Sequence, residues 1–170
     1  MTVLVTSNPA KFGAVKSVLE SLRIEVIPPT ESIPEIQSSD ADVVLADKAK
    51  RAATIMGFPC LVDDACLYLD RFPSFPGPMT GTSLKMLGAE GFRSLICSEH
   101  TGATLSCGIA IFRDGTETIW RGSVHGFLDV DRPLLPHAPG PLSAWFIPDE
   151  GEYPTTLHRL RALQAFGESR

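Results

Sequence analysis

The sequence predicts a mixed α/β fold, in which helices flank a central sheet. Short apolar segments of strand length alternate with amphipathic helical segments over the first third of the chain. A long hairpin follows, with Asp114-Gly115 at its turn, a pair typical of tight β-turns. The alternating units predict parallel strand pairs, and the hairpin adds antiparallel ones. The length of 170 residues suits a single domain, which we expect to span residues 1–170.

The first strand is predicted at Val3-Leu4-Val5, because this apolar run is followed by the turn residues Ser7-Asn8-Pro9. We expect Asn8 to cap the next helix and Pro9 to occupy its first turn. The second strand is predicted at residues 24–27. The helix between the two strands has an apolar stripe formed by Val15, Val18, Leu19 and Leu22.

A second helix is predicted after Ser38-Ser39-Asp40, and Gly57 is expected to end it. A third strand follows at Pro59-Cys60-Leu61-Val62, and we expect it to end at the acidic pair Asp63-Asp64. The apolar face of the helix consists of Leu45, Ala49, Ala52 and Met56.

The second half of the chain is predicted to contain two helices and the long hairpin. Residues 83–96 form the first helix, with an interruption between Gly88 and Gly91. The hairpin strands are expected at about 104–113 and 116–128. Residues 133–154 are rich in proline and glycine and should be mostly loop. The last helix is expected from Thr155-Thr156 to Phe166.

Composition restricts the classes of partner. The net charge of −5, without a long run of like charge, argues against a nucleic-acid polymer or an anionic membrane surface. No apolar run is long enough to span a bilayer, and we expect no signal peptide. The four cysteines lack the spacing of a zinc site, so we expect reduced, mostly buried thiols and a cytoplasmic protein.

Two segments could carry chemistry. From Thr6 to Lys11 a strand meets a helix start, where free N–H groups favour phosphate, although spacing alone favours an ordinary capped helix with a solvated lysine. In the pair Asp63-Asp64, adjacent carboxylates on an extended chain point to opposite faces. One could bind a cation while the other orients water, and a strand-terminating turn is an equally good interpretation.

Two further charged groups are less distinctive. Glu35 and Lys48 could both be plain surface charges. His158-Arg159, near the start of the last helix, is by default an exposed pair whose side chains diverge by about 100°.

Taken in order, these elements resemble the inosine triphosphate pyrophosphatase family. The family's T-G-N-x-x-K motif appears as Thr6-Ser7-Asn8-Pro9-Ala10-Lys11. Its acidic motif, E/D-D-S/T-G/C-L, appears as Asp63-Asp64-Ala65-Cys66-Leu67. Its P-E-Y-Q element appears as Pro34-Glu35-Ile36-Gln37. The lysine helix, P-G-P, G-x-x-x-G and S-H-R elements have counterparts at residues 48–53, 76–78, 122–126 and 157–159.

The resemblance implies two α/β lobes around a long curved mixed sheet, an active site in the cleft between them, and a homodimer. It implies hydrolysis of a nucleoside triphosphate to the monophosphate and pyrophosphate, with Mg²⁺ as cofactor. Glu35 and Asp64 would hold the metal and the attacking water with support from Asp63, and these three are the candidate catalytic residues. The candidate phosphate ligands are Asn8, Lys11 and Lys48, with Thr6 and Ala65 completing that set, while His158 and Arg159 would approach the base.

The sequence departs from the family pattern mainly at the base end. Ala65 replaces a hydroxyl residue, and Leu157 replaces a serine. The family's F-G-W/Y-D-P segment has no clear equivalent, and its base-reading aspartate is missing. We therefore expect an altered or broadened base preference, for a modified, deoxy or pyrimidine nucleotide or for a purine held mainly by stacking on Trp145 or Phe146. A nucleotide-binding protein without catalysis and a hydrolase of another nucleotide, such as a monophosphate, remain as alternatives.

Overall fold

The computed structural model describes residues 2–96, 101–134, 140–153 and 155–170. Strands β1 (Thr2–Val5) and β2 (Ile24–Ile27) lie where they were predicted. The helical segment between them begins as a 3₁₀ helix, Pro9–Val15, and continues as α1, Lys16–Ser21. Asn8 occupies the N-cap position and Pro9 the first turn, as predicted, but the Asn8 side chain makes no capping hydrogen bond.

Helix α2, Ala41–Met56, begins and ends as predicted. The Asp40 carboxylate accepts hydrogen bonds from the backbone N–H groups of Asp42, at 2.8 Å, and Val43, at 3.4 Å. Gly57 ends the helix in the left-handed region, with φ of 76°, which glycine adopts without steric cost.

The third strand is longer than predicted. Strand β3 runs from Leu61 to Leu69, so that Asp63-Asp64 lies inside the strand and neither ends it nor forms a turn. Strand β4, Phe72–Gly77, follows at once, and helix α3 covers Thr80–Ile96. The predicted interruption of this helix is confirmed at Gly88, which has φ of 66° and ψ of 175°.

The predicted hairpin is confirmed as β5, Thr101–Arg113, and β6, Thr116–Leu128. Its turn residues Asp114 and Gly115 both have positive φ, 53° and 78°, as a type I′ turn requires. The predicted loop was wrong in part, because it contains helix α4, Leu142–Trp145, and strand β7, Phe146–Pro148. Helix α5 covers Leu157–Glu168. The remainder of that loop at 135–139 and Pro154, together with Cys97, lies outside the described residues.

The seven strands form one mixed sheet in the order β2-β1-β3-β5-β6-β7, with β4 paired to β3. Strand β1 pairs in parallel with β2 and β3, and all other pairs are antiparallel. Helices lie on both faces. One face packs Leu61 and Ile109 against α5, and the other packs Val62 and Ala110 against α2. The predicted mixed α/β fold is thus confirmed.

The described residues bear on two expectations, one about the cysteines and one about membrane-spanning helices. Cys60, Cys66 and Cys107 are free and buried, as expected for these three thiols. Within the same ranges, no helix combines the length and the apolar character needed to cross a membrane.

Candidate active site

The site lies at a gap in the sheet beside β3. On one edge, β3 pairs with β1 only at Leu61 and Val62, and with β4 only from Leu67 to Leu69. Residues 63–66 therefore have no strand partner on that edge within the described part of the chain. The gap lies at the carboxyl end of β1, the position at which open α/β sheets commonly bind ligands.

The acidic pair lies at this gap, with its two side chains on opposite faces. Asp63 shares the face of Leu61, toward α5, and Asp64 shares the face of Val62, toward α2. Asp63 is only 3% exposed. Burial raises the pKa of Asp64 to about 6 against the opposing effect of Lys48, and the charges of Glu35 and Asp63 raise it further. A carboxyl group with this pKa can exchange a proton near neutral pH.

Lys48 of α2 lies beside the gap and forms hydrogen bonds to both Glu35 and β3. Its Nζ donates to Glu35 Oε1 at 2.6 Å and to the carbonyl oxygen of Asp63 at 2.9 Å. The Lys48 side chain is 15% exposed, whereas that of Glu35 is 50% exposed. Burial would lower the pKa of Lys48, but Asp64, Glu35 and Asp63 together raise it. Lys48 is therefore a charged lysine held in place by carboxylates.

A charged chamber of about 360 Å³ opens at this point. Its lining includes all of the sequence-predicted acidic residues and three lysines. The polar and charged members of that lining are Thr6, Ser7, Lys11, Ser32, Glu35, Lys48, Asp63, Asp64, Thr82 and Lys85.

An apolar chamber of the same size, about 360 Å³, adjoins the charged one. Lys11, Ala65 and Gly81 line both and form the junction between them. Asn8, predicted among the phosphate ligands, lines this second chamber and is absent from the lining of the charged one. The remaining residues of the apolar chamber are Thr80, Leu84, Leu105, Gly140, Pro141, Leu142, Ser143, Phe146, Thr155, His158 and Arg159.

His158 and Arg159 are buried at the apolar chamber, whereas residue type alone had suggested exposure. Arg159 Nη1 lies 2.8 Å from His158 Nε2, so the imidazole accepts there and carries its proton on Nδ1. Burial, with the charges of Arg159 and Lys11, lowers the pKa of His158 to about 3. His158 Nδ1 and Arg159 Nε have no hydrogen-bond partner among the described residues. His158 and Arg159 both line the chamber, but these two unpaired nitrogens are themselves closed off from it.

Of the two predicted stacking residues, only Phe146 lines the chamber. Trp145 is 0% exposed, and its ring stacks on Phe92 with centroids 6.5 Å apart. The expectation that Trp145 stacks on a base is therefore corrected. Consecutive residues at the α4–β7 boundary point in different directions, and here the tryptophan fills the core.

Comparisons with known proteins identify the family of the chain. A sequence profile of the Ham1 family matches residues 2–132. The chain belongs to the Ham1 family. It is 37% identical over 107 residues to an inosine triphosphate pyrophosphatase of Tuber melanosporum, covering 62% of this chain and 58% of that protein. It is 33% identical over 133 residues to one of Puccinia graminis f. sp. tritici, covering 73% and 69%.

A solved Ham1 protein shares the fold. The structure from Coxiella burnetii superposes with a TM-score of 0.67 at 22% identity and covers 99% of this chain and 98% of its own. The matched part spans less than two thirds of the Tuber melanosporum relative, as given above.

The donor set in this Ham1 family member fits a hard cation. Within the described ranges, no three His, Cys, Asp or Glu side chains form a metal-binding group by themselves. Magnesium needs only one or two carboxylates, because waters and substrate phosphates supply its other ligands. Asp64 and Glu35 are both close enough to Lys48 to raise its pKa. Asp63 Oδ2 is buried without a hydrogen-bond partner in the described part of the chain. These oxygens could bind magnesium together with a phosphate.

Sequence reasoning missed part of the lining in this Ham1 family member. Gly81, Thr82 and Lys85 reach the cleft from the first turns of α3. The one local signal is the spacing of Gly81 and Lys85, since residues four apart share a helix face. Ser143 and Thr155 had no local signal, because the Pro/Gly-rich segment looked like loop.

Proposed function

We propose that this protein hydrolyses nucleoside triphosphates to the monophosphate and pyrophosphate. The observation that carries the proposal is the pair of adjoining chambers, one charged and one apolar, which meet at Lys11, Ala65 and Gly81. A nucleoside triphosphate likewise has a charged end, its phosphates, and a less polar end, its base. The names of the relatives, inosine triphosphate pyrophosphatase, support the same reaction.

The chain's own residues suit that chemistry. Asp64 would orient a water and accept its proton, because it is mostly ionised at neutral pH even in the metal-free protein, where its pKa is about 6, and a bound cation would favour the ionised form further. The water oxygen would bond to the α-phosphorus, and the bond to the bridging oxygen would break. The electron pair leaves with pyrophosphate, and Lys11 and Lys48 would stabilise the negative charge that develops.

We further propose that the enzyme depends on Mg²⁺, held by Glu35 and Asp64 with support from Asp63. When bound, the cation would neutralise phosphate charge and polarise the phosphoryl group. Thr6 lines the same charged chamber and would contact the phosphates.

We propose a base preference that is broader than, or different from, that for inosine and xanthosine triphosphates. Leu84, Leu105 and Phe146 give the chamber its apolar surface, and His158 with Arg159 forms a polar part of its wall. No Asp or Glu lines this chamber among the described residues. The site would then select bases by the edge that faces His158 and Arg159 and would accept variation at the other edges.

The resemblance to the family further supports a homodimer, a cytoplasmic location and one domain over residues 1–170. Sedimentation velocity tests the first of these. A species of twice the 18.4 kDa chain mass is expected, and a monomer at every concentration would contradict it.

The decisive experiment is a panel of nucleotides assayed with Mg²⁺, in which pyrophosphate and orthophosphate are both measured. We expect equal amounts of nucleoside monophosphate and pyrophosphate, and no activity in Asp64→Asn. Orthophosphate as the only product would contradict the proposed reaction. Tight binding without turnover of any nucleotide would favour a binding protein. Strong selectivity for inosine and xanthosine triphosphates would contradict the proposed base preference.

A further inference from the structure

Helix α3 separates the two chambers and presents a different residue to each. Gly81 lies at the junction, Leu84 lines the apolar chamber, and Lys85 lines the charged chamber. Adjacent helical residues diverge by about 100°, so Leu84 and Lys85 point to opposite sides of this divide. Lys85 lines only the charged chamber and lies one helical turn beyond Gly81.

The lysines of the charged chamber are not equally available to a ligand. Lys48 is already bound by Glu35 and by the Asp63 carbonyl oxygen. Among the described residues, neither Lys11 nor Lys85 forms an ion pair. Lys11 lies at the junction, where the proposed binding mode would place the phosphate closest to the base. Among the described residues, Lys85 is the other lysine of this chamber without a carboxylate partner, and its charge would offset the repulsion between the three carboxylates and a polyphosphate.

We propose that Lys85 is a substrate-binding residue that contacts the two phosphates farthest from the base and holds the leaving pyrophosphate. The inference rests on the proposed function, because it uses the placement of the base in the apolar chamber. A flexible lysine suits this role, since it acts as a point charge and can follow the leaving group.

The test compares Lys85→Gln, Lys85→Arg and the control Lys50→Gln with the wild-type protein. Lys50 is an exposed lysine on α2 that lines neither chamber. Affinity for inorganic pyrophosphate and for a nucleoside monophosphate is measured by calorimetry with Mg²⁺ present. Thermal unfolding of each variant confirms that it is folded, which we expect because Lys85 is exposed and glutamine favours helix.

We expect Lys85→Gln to bind pyrophosphate about tenfold more weakly, as for loss of one charge-assisted contact, and to bind monophosphate as the wild type does. Lys85→Arg should restore most of the affinity, and Lys50→Gln should change neither ligand. Unchanged pyrophosphate affinity in Lys85→Gln, or equal weakening of both ligands, would overturn the proposal. If the wild type hydrolyses no triphosphate, the proposed function fails, while pyrophosphate binding still decides the role of Lys85.

Discussion

At the residue scale, neighbouring carboxylates occupy different environments because β3 turns them to opposite faces. Asp63 is buried toward α5, and Asp64 lies beside Lys48 and Glu35. Burial raises the pKa of Asp64 by more than the charge of Lys48 lowers it, and Glu35 and Asp63 raise it further. An ionised Asp64 is therefore available for chemistry at a cost in folding stability.

Asp64→Asn should lower the rate of hydrolysis by about 10²-fold or more, to no detectable activity. The same substitution should raise the melting temperature of the metal-free protein. The folded-state pKa of about 6 lies above that of an unfolded aspartate. The neutral Asp64 carboxyl group therefore stabilises the fold, and this stabilisation is lost as pH rises through about 6. The asparagine side chain does not ionise, so the variant does not lose stability in this way. Thermal unfolding in EDTA at neutral pH measures the difference.

Glu25→Gln, an exposed substitution on β2, is the control and should leave the melting temperature unchanged. A lower melting temperature in Asp64→Asn would show that the ionised carboxylate stabilises the fold.

At the scale of elements, α5 lies directly on β6 at Gly122. A Cβ at this position would overlap the His158 carbonyl oxygen and the Ala162 backbone nitrogen. Backbone atoms of a helix cannot move aside as a side-chain tip can. The absence of a side chain at Gly122 therefore sets how closely α5, with His158 and Arg159, approaches the sheet.

Gly122→Ala should destabilise the protein by about 1–3 kcal/mol, because α5 must move outward to admit the methyl group. Nucleotide affinity should also fall, since His158 and Arg159 move with the helix. Denaturant unfolding and nucleotide binding measure the two effects. Gly13→Ala is the matched control, because a Cβ there meets nothing within 4 Å. Wild-type stability and affinity in Gly122→Ala would contradict this account of the packing.

A second link between elements depends on pH. His125 of β6 has Nδ1 2.6 Å from Asp149 Oδ2, after β7, and Nε2 2.9 Å from Asp70 Oδ2, after β3. Gly102 leaves room for the Asp70 carboxylate, which a Cβ there would overlap. The hydrogen bonds to Asp149 and Asp70 raise the pKa of His125 above its ordinary value.

His125→Gln should therefore lower the melting temperature more in mildly acidic than in alkaline solution. Because the folded pKa of His125 is raised, its stabilisation is complete below the unfolded pKa, about 6.5, and is lost as pH rises through the folded value. Melting temperatures of both proteins across this range test the sign. Thr104→Val, at the cross-strand partner of His125, should show no such trend. A pH-independent difference for His125→Gln would mean that the imidazole acts only by packing.

Elements whose ends depend on local chemistry could be predicted from the sequence. The Asp40 cap and Gly57 define α2, and Asp114-Gly115 defines the hairpin. The end of β3 could not be predicted, because residues beyond Asp64 stay extended through pairing with β5 and β4, which are distant in sequence. For the same reason β7 was missed, since β6 holds it in place.

The candidate site was predictable where its motif is contiguous. The charged chamber contains Asp63-Asp64, Glu35 and Lys48 as the resemblance implied, although their roles remain predictions. Burial of His158 and Arg159 could not be read locally, because it follows from the close packing of α5 on Gly122.

At the scale of the whole molecule, the sheet gap and α3 together produce a cleft with two chemically different ends. If nucleotides bind as proposed, the charged end would contact the phosphates, which nucleoside triphosphates have in common, and the apolar end would contact the base. Substitutions in the two chambers should therefore have separable effects, on ranking of bases in one and on overall affinity in the other.

Ser143→Asp should change the ranking of bases without changing pyrophosphate affinity. Ser143 lines the apolar chamber, which has donors and no Asp or Glu among its described residues. A carboxylate would accept a hydrogen bond from a base with a ring N–H, and kcat/KM should shift toward such bases by about tenfold. Competition assays with inosine and adenosine triphosphates measure the ratio, and Ser143→Asn is the neutral control. An unchanged ratio would place the base elsewhere.

The junction at Lys11, Ala65 and Gly81 has a consequence for which bond is cut. In the proposed binding mode, a nucleotide anchored by its base would place its first phosphate at this point, however many phosphates extend beyond it. The distance from the base would then determine which bond is cut. On this basis a nucleoside diphosphate would be cut at the same bond and would release orthophosphate, so that phosphate number governs affinity while regiochemistry stays constant.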